Sequence, residues 1–329
     1  MKKLVKYSDA IRFGFEYLLS NYQEVFTIGQ GLWSPWYVGN SMKELEVKFG
    51  KHRIIDSPVS EAGITGAAIG ASLCGYRPIV IHPRMDFMIL AADQIVNQAA
   101  KWSHMLGGRS NPKITIRSVI NRGGEQGAQH SQALHAWYAH IPGLRVVMPA
   151  TVQDARDLLI SSVLCDDPVI YIDDRWLYER EEEISDIEIV DLKNIKPKIL
   201  KNGSDLTLVS SGYSTLLCLE TAEKLKNENI HCDVIDMRVI NPLDVNIILE
   251  SVKRTKKLCV VDGGWAACGL AGEIIASVVE SIEPNVLTHK PVRITLPWAP
   301  APMSRSLEKI YYPDVNYIHN KIKTNFINK

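Results

Sequence analysis

The chain has 329 residues, more than one hydrophobic core usually holds, so we expect two domains. Its 37 basic and 37 acidic residues give a formal net charge of zero, and no basic segment is interleaved with aromatic residues, which argues against nucleic acid and anionic membranes as partners. No apolar run reaches the roughly 18 residues of a membrane span, and Asp9, Arg12 and Glu16 interrupt any signal-peptide core.

The six cysteines show no closely spaced pair of the kind that binds a metal or forms a redox disulfide. Most of them sit within apolar runs, which predicts reduced, buried thiols in a cytoplasmic protein. They are Cys74, Cys165, Cys218, Cys232, Cys259 and Cys268.

Strand and helix patterns alternate along the first half of the chain. Short apolar runs bounded by proline or glycine are typical of buried strands, and this alternation predicts an α/β fold with a mostly parallel sheet. Thr151 and Asp154 form a capping box before one helix. The predicted elements are helices over 7–19 and 89–105, one opened by Glu61, one that ends near 164, and strands over 25–28, 53–56, 78–83, 114–120, 145–149 and 168–173.

The second half of the chain also alternates strand and helix patterns, after a polar interval. Apolar periodicity lapses over 179–203, so we place a first domain at 1–185, a linker at 186–203 and a second domain at 204–329. The second domain is predicted to be another open α/β unit. Its predicted elements are strands over 206–212, 232–238, 258–264 and 292–297, helices over 215–227 and 242–252, and a helix that ends near 280.

The helix opened by Glu61 has an unusual composition. Gly63, Gly66 and Gly70 recur at spacings of three and four, so they share one helical face, and Ser60 precedes them as a candidate N-cap. Each glycine costs about 1 kcal/mol against alanine inside a helix. We therefore expect another backbone to approach this face closely.

Glu61 itself has two interpretations. An acid in the first turn of a helix can simply offset the helix dipole. Alternatively, a carboxylate held where two helices pack closely is desolvated and can share a proton with a ligand. The residues alone do not decide between them.

Two further side chains can be read either as functional or as ordinary residues. His130 lies in a polar, glycine-rich loop over 121–132, where functional side chains tend to gather but where a histidine can also be an ordinary surface residue. It precedes His135 by five positions, which does not suit a zinc pair on a helix. Phe87 lies in a largely apolar stretch and is, on its own, a candidate core aromatic.

Several segments together resemble the beta subunits of thiamine-diphosphate-dependent 2-oxo acid dehydrogenases, the decarboxylating first component of the pyruvate and branched-chain complexes. The resemblance begins at DSPVSEAGITGAAIGASLCG and returns in DQIVNQAAKW, QHSQALHAWYAHIPGLRVVMPA, VIDMRVINPLD and APMSRSLEKIYYPDV, so it covers nearly the whole chain. It implies a pyrimidine-binding thiamine-diphosphate fold followed by a transketolase C-terminal-like domain, and an enzyme that decarboxylates pyruvate or a branched-chain 2-oxo acid.

The resemblance also implies the roles of site residues. Glu61 would hydrogen-bond the pyrimidine ring of thiamine diphosphate, and Phe87 would lie against that ring. His130 would face the thiazolium as a proton-transfer or acceptor-guiding group.

A second set of residues matches positions whose backbone carbonyls hold a monovalent cation, such as potassium, in some relatives. At one of these positions the chain has a cysteine where relatives often have an acid. The set comprises Ile114, Ser162, Cys165 and Asp167.

One motif of thiamine enzymes is missing. Such enzymes normally hold the diphosphate and its divalent metal with a GDG motif, and Mg²⁺ prefers oxygen ligands in octahedral array. The chain has no GDG, and its nearest approximation is Asp262-Gly263-Gly264. The resemblance therefore implies an alpha subunit that holds the diphosphate and Mg²⁺ in an α2β2 heterotetramer, and a lipoyl acyltransferase that receives the acyl group.

Three alternatives stay open. A split transketolase-type enzyme, which transfers a two-carbon unit without lipoamide, would share the same segments. Gly212 and Asp236 superficially imitate a dinucleotide site, although only one of the fingerprint's three glycines is present. An assembly subunit with an inactive site is the third alternative, and the joint presence of Glu61, Phe87 and His130 argues against it.

Overall fold

The computed structural model describes residues 3–34 and 36–327. The chain divides into two compact units. The first comprises the residues up to Arg122 together with Gln129–Ile195, and the second comprises Gly123–Ala128 and the residues from Lys196 onward. None of the helices in the described part of the chain is both long and apolar enough to cross a membrane.

Strands and helices alternate along the first unit, as the apolar pattern predicts. Its strands are β1 (Lys3–Lys6), β2 (Val25–Gly29), β3 (Ile54–Asp56), β4 (Arg77–His82), β5 (Thr115–Ile120), β6 (Arg145–Val147), β7 (Val169–Asp174) and β8 (Glu181–Ile184). Its α-helices are α1 (Tyr7–Asn21), α2 (Leu45–Phe49), α3 (Glu61–Leu73), α4 (Met85–Met88), α5 (Ala100–Met105), α6 (His135–Ala139) and α7 (Val152–Leu164).

Strands β2 to β7 form a parallel sheet in the order β6-β7-β5-β4-β2-β3. Every residue of β5 and β7 is buried, as expected of parallel strands covered on both faces. Glu61, Phe87 and His130 follow the carboxyl ends of β3, β4 and β5, respectively. Open α/β sheets bind their ligands at this edge.

A buried ion pair joins two neighbouring strands of this sheet. Arg117 on β5 donates from Nε and Nη2 to the carboxylate of Asp173 on β7, at 3.0 and 2.8 Å, and both side chains are fully buried. The hydroxyl of Tyr178 donates to the same carboxylate. Burial tends to lower the pKa of Arg117, but Asp173 and Tyr178 raise it above its ordinary value, so the guanidinium stays charged.

The helix predicted over 89–105 is not regular. It consists of a 3-10 turn at Ile89–Ala91, a π-helix at Gln94–Ala99 and then α5. The prediction of one continuous α-helix is therefore wrong in its middle. π-helical turns, which are wider than α-helical turns, occur frequently at functional sites.

The two predicted helix caps have different outcomes. Thr151 caps α7 as predicted, because its Oγ1 accepts a hydrogen bond from the backbone nitrogen of Asp154 at 3.1 Å. Ser60 stands at the N-cap position of α3, but its side chain makes no capping hydrogen bond. The predicted N-cap position is therefore confirmed, although the hydroxyl does not contribute a capping bond.

The second unit is also α/β. In its main sheet β9 is antiparallel to its neighbour β11, and the other pairs are parallel, in the order β14-β13-β10-β11-β9. The strands are β9 (Lys198–Lys201), β10 (Leu206–Ser210), β11 (Cys232–Asp236), β12 (Val239–Asn241), β13 (Leu258–Trp265) and β14 (Val292–Leu296). The helices are α8 (Tyr213–Lys226), α9 (Asn246–Thr255), α10 (Leu270–Glu280), α11 (Arg305–Tyr311) and α12 (Val315–Phe326).

Some elements lie where the apolar pattern does not predict them. Strand β8 pairs with β1 in a separate antiparallel ladder, and β9 is an edge strand; both lie in the polar interval 179–203. Short, charged strands are common at sheet edges, where one side faces solvent. Helix α12 contributes Ile318, Ile322 and Phe326 to the core of the second unit.

The cysteines are free thiols. Cys165, Cys218, Cys232 and Cys259 are buried, as predicted, whereas Cys74 and Cys268 are exposed.

Candidate active site

Glu61 opens α3 and is largely buried, with 9% of its surface exposed. Its carboxylate makes no hydrogen bond or ion pair with any other residue in the described ranges. A largely buried acidic residue is costly unless its carboxylate meets water or a ligand. This arrangement favours the interpretation in which Glu61 meets a ligand over the one in which it only offsets the helix dipole.

The structure brings Phe87 and His130 together. Their ring centroids are 5.3 Å apart and their planes meet at 86°, which is an edge-to-face contact. Phe87 is presented by α4 and His130 by the loop after β5, and the strands that precede them are paired. Contacts of this geometry contribute about 0.5–1.5 kcal/mol between aromatic rings. The imidazole is therefore held at a fixed place beside the phenyl ring.

Glu61 is connected to this pair through its helix. Among the described residues, no hydrogen bond or ring contact joins Glu61 to Phe87 or His130. Helix α3 packs instead against β4 and against the 3-10 and π segments that follow α4. Two of the three predicted residues thus touch, and the third lies on the helix packed beside them.

The glycine-rich face of α3 is open. A Cβ added to Gly63 would lie 2.7 Å from Ser60 Oγ, and one added to Gly66 would lie 3.6 Å from Gln94 Cγ. A Cβ on Gly70 would have no neighbour within 4 Å. Side chains rather than a second backbone approach this face, so the predicted backbone contact is not found within the described residues. Gly63 and Gly70 are exposed.

His82 ends β4 and lies against α3. It is 1% exposed, and its Nε2 is 3.4 Å from Thr65 Oγ1, one turn after Glu61. Burial lowers the pKa of His82 to about 4. The imidazole is therefore neutral at pH 7 and adds no positive charge beside α3.

We expect His82 to make the protein less stable in acid. Its pKa is about 4 in the folded chain and 6.5 ordinarily, so below pH 6.5 the unfolded chain binds the proton and folding becomes less favourable. The loss is about 1.4 kcal/mol per pH unit, or about 2 kcal/mol between pH 6.5 and 5. Urea unfolding should show a shallower pH dependence for His82→Gln, whose side chain is polar but does not titrate. Equal slopes for the two proteins would contradict the assignment.

The residues matched to a monovalent cation lie at the opposite end of the sheet. Ile114 precedes β5, while Cys165 and Asp167 lie between α7, which carries Ser162, and β7. The carbonyl of Cys165 accepts a hydrogen bond from Arg77 Nη1 at 2.9 Å. A guanidinium so close repels a second cation, so the set fits potassium poorly and we derive no role for the ion. A potassium ion here stays a prediction.

Two carboxylates of the second unit accept hydrogen bonds from residues of the same unit. Asp236 is fully buried, and its Oδ1 accepts from Thr215 Oγ1 and from the backbone nitrogen of Arg238, each at 3.3 Å. Asp262 accepts from the backbone nitrogens of Gly264 and Ala271, at 3.0 and 3.3 Å. Asp236 Oδ1 is therefore engaged within its own unit, and Asp262 is engaged by the backbone. No group of three or more His, Cys, Asp or Glu side chains suited to a metal ion occurs among the described residues.

Sequence reasoning missed two residues that connect the helix of Phe87 to the loop of His130. Asp86 Oδ1 accepts hydrogen bonds from the backbone nitrogen and from Nε2 of Gln132, at 3.2 and 2.9 Å. The available signal was an acid inside the apolar stretch around Phe87. Its partner could not be identified because it lies 46 positions away.

Comparison with known proteins gives matches over nearly the whole chain. The family model described as "Transketolase, pyrimidine binding domain" matches residues 3–180, and that described as "Transketolase, C-terminal domain" matches residues 195–318. A split-gene transketolase, described as an inactive beta4 tetramer, shares the fold with a TM-score of 0.75 and 20% identity, covering 98% of each chain.

Curated relatives are closer in sequence. The chain is 36% identical to the pyruvate dehydrogenase E1 component subunit beta of Rickettsia bellii, over 93% of this chain and 89% of that protein. It is 35% identical to the human mitochondrial pyruvate dehydrogenase E1 subunit beta, over 96% and 89%. It is 38% identical to the acetoin:2,6-dichlorophenolindophenol oxidoreductase subunit beta of Cupriavidus necator, over 82% and 80%.

Proposed function

Because the chain belongs to the transketolase-like family of beta subunits of thiamine-diphosphate-dependent 2-oxo acid dehydrogenases, we propose that it forms one half of a decarboxylating first component. The complete enzyme would oxidatively decarboxylate a 2-oxo acid and pass the acyl group to lipoamide. The observation that carries the proposal is Glu61, a residue nine-tenths buried whose carboxylate has no partner among the described residues. It lies on a helix packed beside the elements that follow β4, where Phe87 meets His130.

The residues fit one end of thiamine diphosphate. Glu61 would hold a proton at a ring nitrogen of the pyrimidine, which would give its carboxylate a hydrogen-bond partner. Phe87 would lie against the same ring and exclude water from it. His130 would guide the acceptor and move a proton there. When bound, the coenzyme supplies the electron sink for the loss of carbon dioxide.

The other end of the coenzyme needs another chain. The sequence has no GDG motif, so we propose that an alpha subunit holds the diphosphate and Mg²⁺, and that the two chains assemble as an α2β2 heterotetramer. A lipoyl acyltransferase would accept the acyl group. We place the assembly in the cytoplasm, in keeping with the free thiols of the chain.

The test is an assay of the chain co-purified with its alpha subunit against a panel of pyruvate, branched-chain 2-oxo acids and acetoin, with an artificial electron acceptor. We include acetoin because of the relative named for it. Thiamine-dependent oxidation of a 2-oxo acid would support the proposal. Transfer of a two-carbon unit between sugar phosphates, with no oxidation of any 2-oxo acid, would identify a split transketolase instead.

The open face of α3 is a place where we expect the alpha subunit to pack. Because no neighbouring atom of the described residues would lie within 4 Å of a Cβ at Gly70, Gly70→Leu should leave the isolated chain folded. In the assembled enzyme, the bulky side chain would separate two closely packed helices. We expect the affinity for the alpha subunit to fall at least tenfold, about 1.4 kcal/mol, in analytical ultracentrifugation. Gly70→Ala should have a smaller effect, and Lys226→Leu, on the exposed face of α8, should have none. Unchanged affinity of Gly70→Leu would remove α3 from the interface.

A further inference from the structure

The loop that carries His130 is attached to α4 at two neighbouring points. One is the ring contact between Phe87 and His130, with centroids 5.3 Å apart. The other is the pair of hydrogen bonds from Gln132 to Asp86 Oδ1, at 3.2 Å from the backbone nitrogen and 2.9 Å from Nε2. Asp86 and Phe87 are consecutive, and His130 and Gln132 are two positions apart. The two attachments therefore fix both the position and the direction of the loop.

Asp86 is largely buried where it makes this contact. It is 7% exposed, so its hydrogen bonds to Gln132 are shielded from water. Burial raises the pKa of Asp86 above its ordinary value, against the lowering effect of the Gln132 hydrogen bonds and of the nearby charge of His130. Its second oxygen, Oδ2, is buried and has no hydrogen-bond partner among the described residues. Burying an acid with one unpaired oxygen costs free energy. We therefore expect the hydrogen bonds to its other oxygen to have a role in the protein.

Among the described residues, the segment 129–134 makes few other hydrogen bonds. Most of the segment between Arg122 and His130 is irregular and glycine-rich, and glycines give the chain wide conformational freedom. The hydroxyl of Ser131, between His130 and Gln132, is buried without a partner among the described residues. The backbone nitrogen of Leu134 reaches only the sulfur of Met85, at 3.3 Å. The carboxylate of Asp86 is thus the strong acceptor at this end of the loop.

We propose that Asp86 is a positioning residue that fastens the His130 loop to α4, so that the imidazole stays beside Phe87 where the acceptor enters. The catalytic part of this proposal rests on the proposed function, whereas the structural part does not. Asp86 acts through Gln132 and His130 and forms no bond with the substrate.

Hydrogen exchange of the full-length chain tests the structural part without any activity. In Asp86→Ala the amide of Gln132 loses its acceptor, and we expect exchange in the segment 129–134 to accelerate at least tenfold, with exchange in β4 and β5 unchanged. Asp86→Asn keeps an acceptor oxygen at the same place and should largely restore the protection. Gln132→Leu keeps the backbone hydrogen bond and should give a smaller acceleration. Unchanged exchange in Asp86→Ala would overturn the proposal.

A double-mutant cycle tests the catalytic part in the reconstituted enzyme. If Asp86 acts through His130, Asp86→Ala should lower kcat at least tenfold with KM for the 2-oxo acid within about threefold, and should have no further effect in a His130→Ala background. Equal losses in both backgrounds would contradict the positioning role. If no 2-oxo acid is oxidised by the wild-type enzyme, the proposed function fails, and hydrogen exchange alone then decides whether Asp86 holds the loop.

Discussion

Replacing Glu61 with alanine should lower the kcat of the reconstituted enzyme at least 100-fold, which corresponds to about 2.7 kcal/mol of barrier. Glu61 is nine-tenths buried and its carboxylate has no partner among the described residues, so its main interaction is expected with the coenzyme. Under the proposed function, removing the carboxylate would leave the ring nitrogen of the pyrimidine without its proton partner. The measurement is steady-state turnover of the 2-oxo acid at saturating thiamine diphosphate.

The controls separate chemistry from assembly. Glu61→Gln keeps the shape of the side chain but not its ionisation, and we expect a loss close to that of the alanine variant. Glu220→Ala removes an exposed acid from a helix of the second unit and should be neutral. Activity of Glu61→Ala within tenfold of wild type, with the subunits assembled normally, would contradict the role assigned to the carboxylate.

The substitution Asp173→Asn should destabilise the first unit by about 3–5 kcal/mol. The side chain keeps its size, but Arg117 then lies fully buried without a counter-charge. Burial favours loss of the Arg117 charge, and Asp173 contributes the largest of the opposing effects, which also come from Tyr178 and Tyr171. The midpoint of urea unfolding, followed by circular dichroism, measures the effect.

A matched double substitution shows whether the effect is electrostatic. Arg117→Met combined with Asp173→Leu removes both charges, and apolar replacements of buried ion pairs are often neutral or stabilising. The double variant should therefore be more stable than Asp173→Asn alone. A change below about 1 kcal/mol in Asp173→Asn would mean that the buried guanidinium does not depend on its partner.

Much of the fold could be predicted from local patterns. Apolar runs such as 78–83 and 114–120 predict buried parallel strands because both of their faces are covered. The Thr151 cap was predictable because donor and acceptor lie three positions apart. Strand β9 was not, because a charged edge strand has no apolar period. The π-helix at Gln94–Ala99 was not, because its polar and apolar residues suit an α-helix equally well.

The candidate site, like the fold, could be predicted only in part. The family resemblance predicts Glu61, Phe87 and His130 as site residues, and the structure adds the contact between the two rings. The anchor at Asp86 depends on a hydrogen bond between residues 46 positions apart, which no local pattern reveals. The glycine face of α3 predicts a close neighbouring backbone, and none is found among the described residues. We therefore expect this face to contact another subunit in the assembled enzyme.

The most direct test of the account is isothermal titration of thiamine diphosphate with Mg²⁺ into the isolated chain and into the chain assembled with its alpha subunit. We expect no binding tighter than about 1 mM, or about −4 kcal/mol, by the isolated chain. The assembled pair should bind the coenzyme stoichiometrically, and the Glu61→Ala pair should bind it more weakly. Tight binding of the coenzyme by the isolated chain, or turnover of a 2-oxo acid without a second subunit, would contradict the shared site.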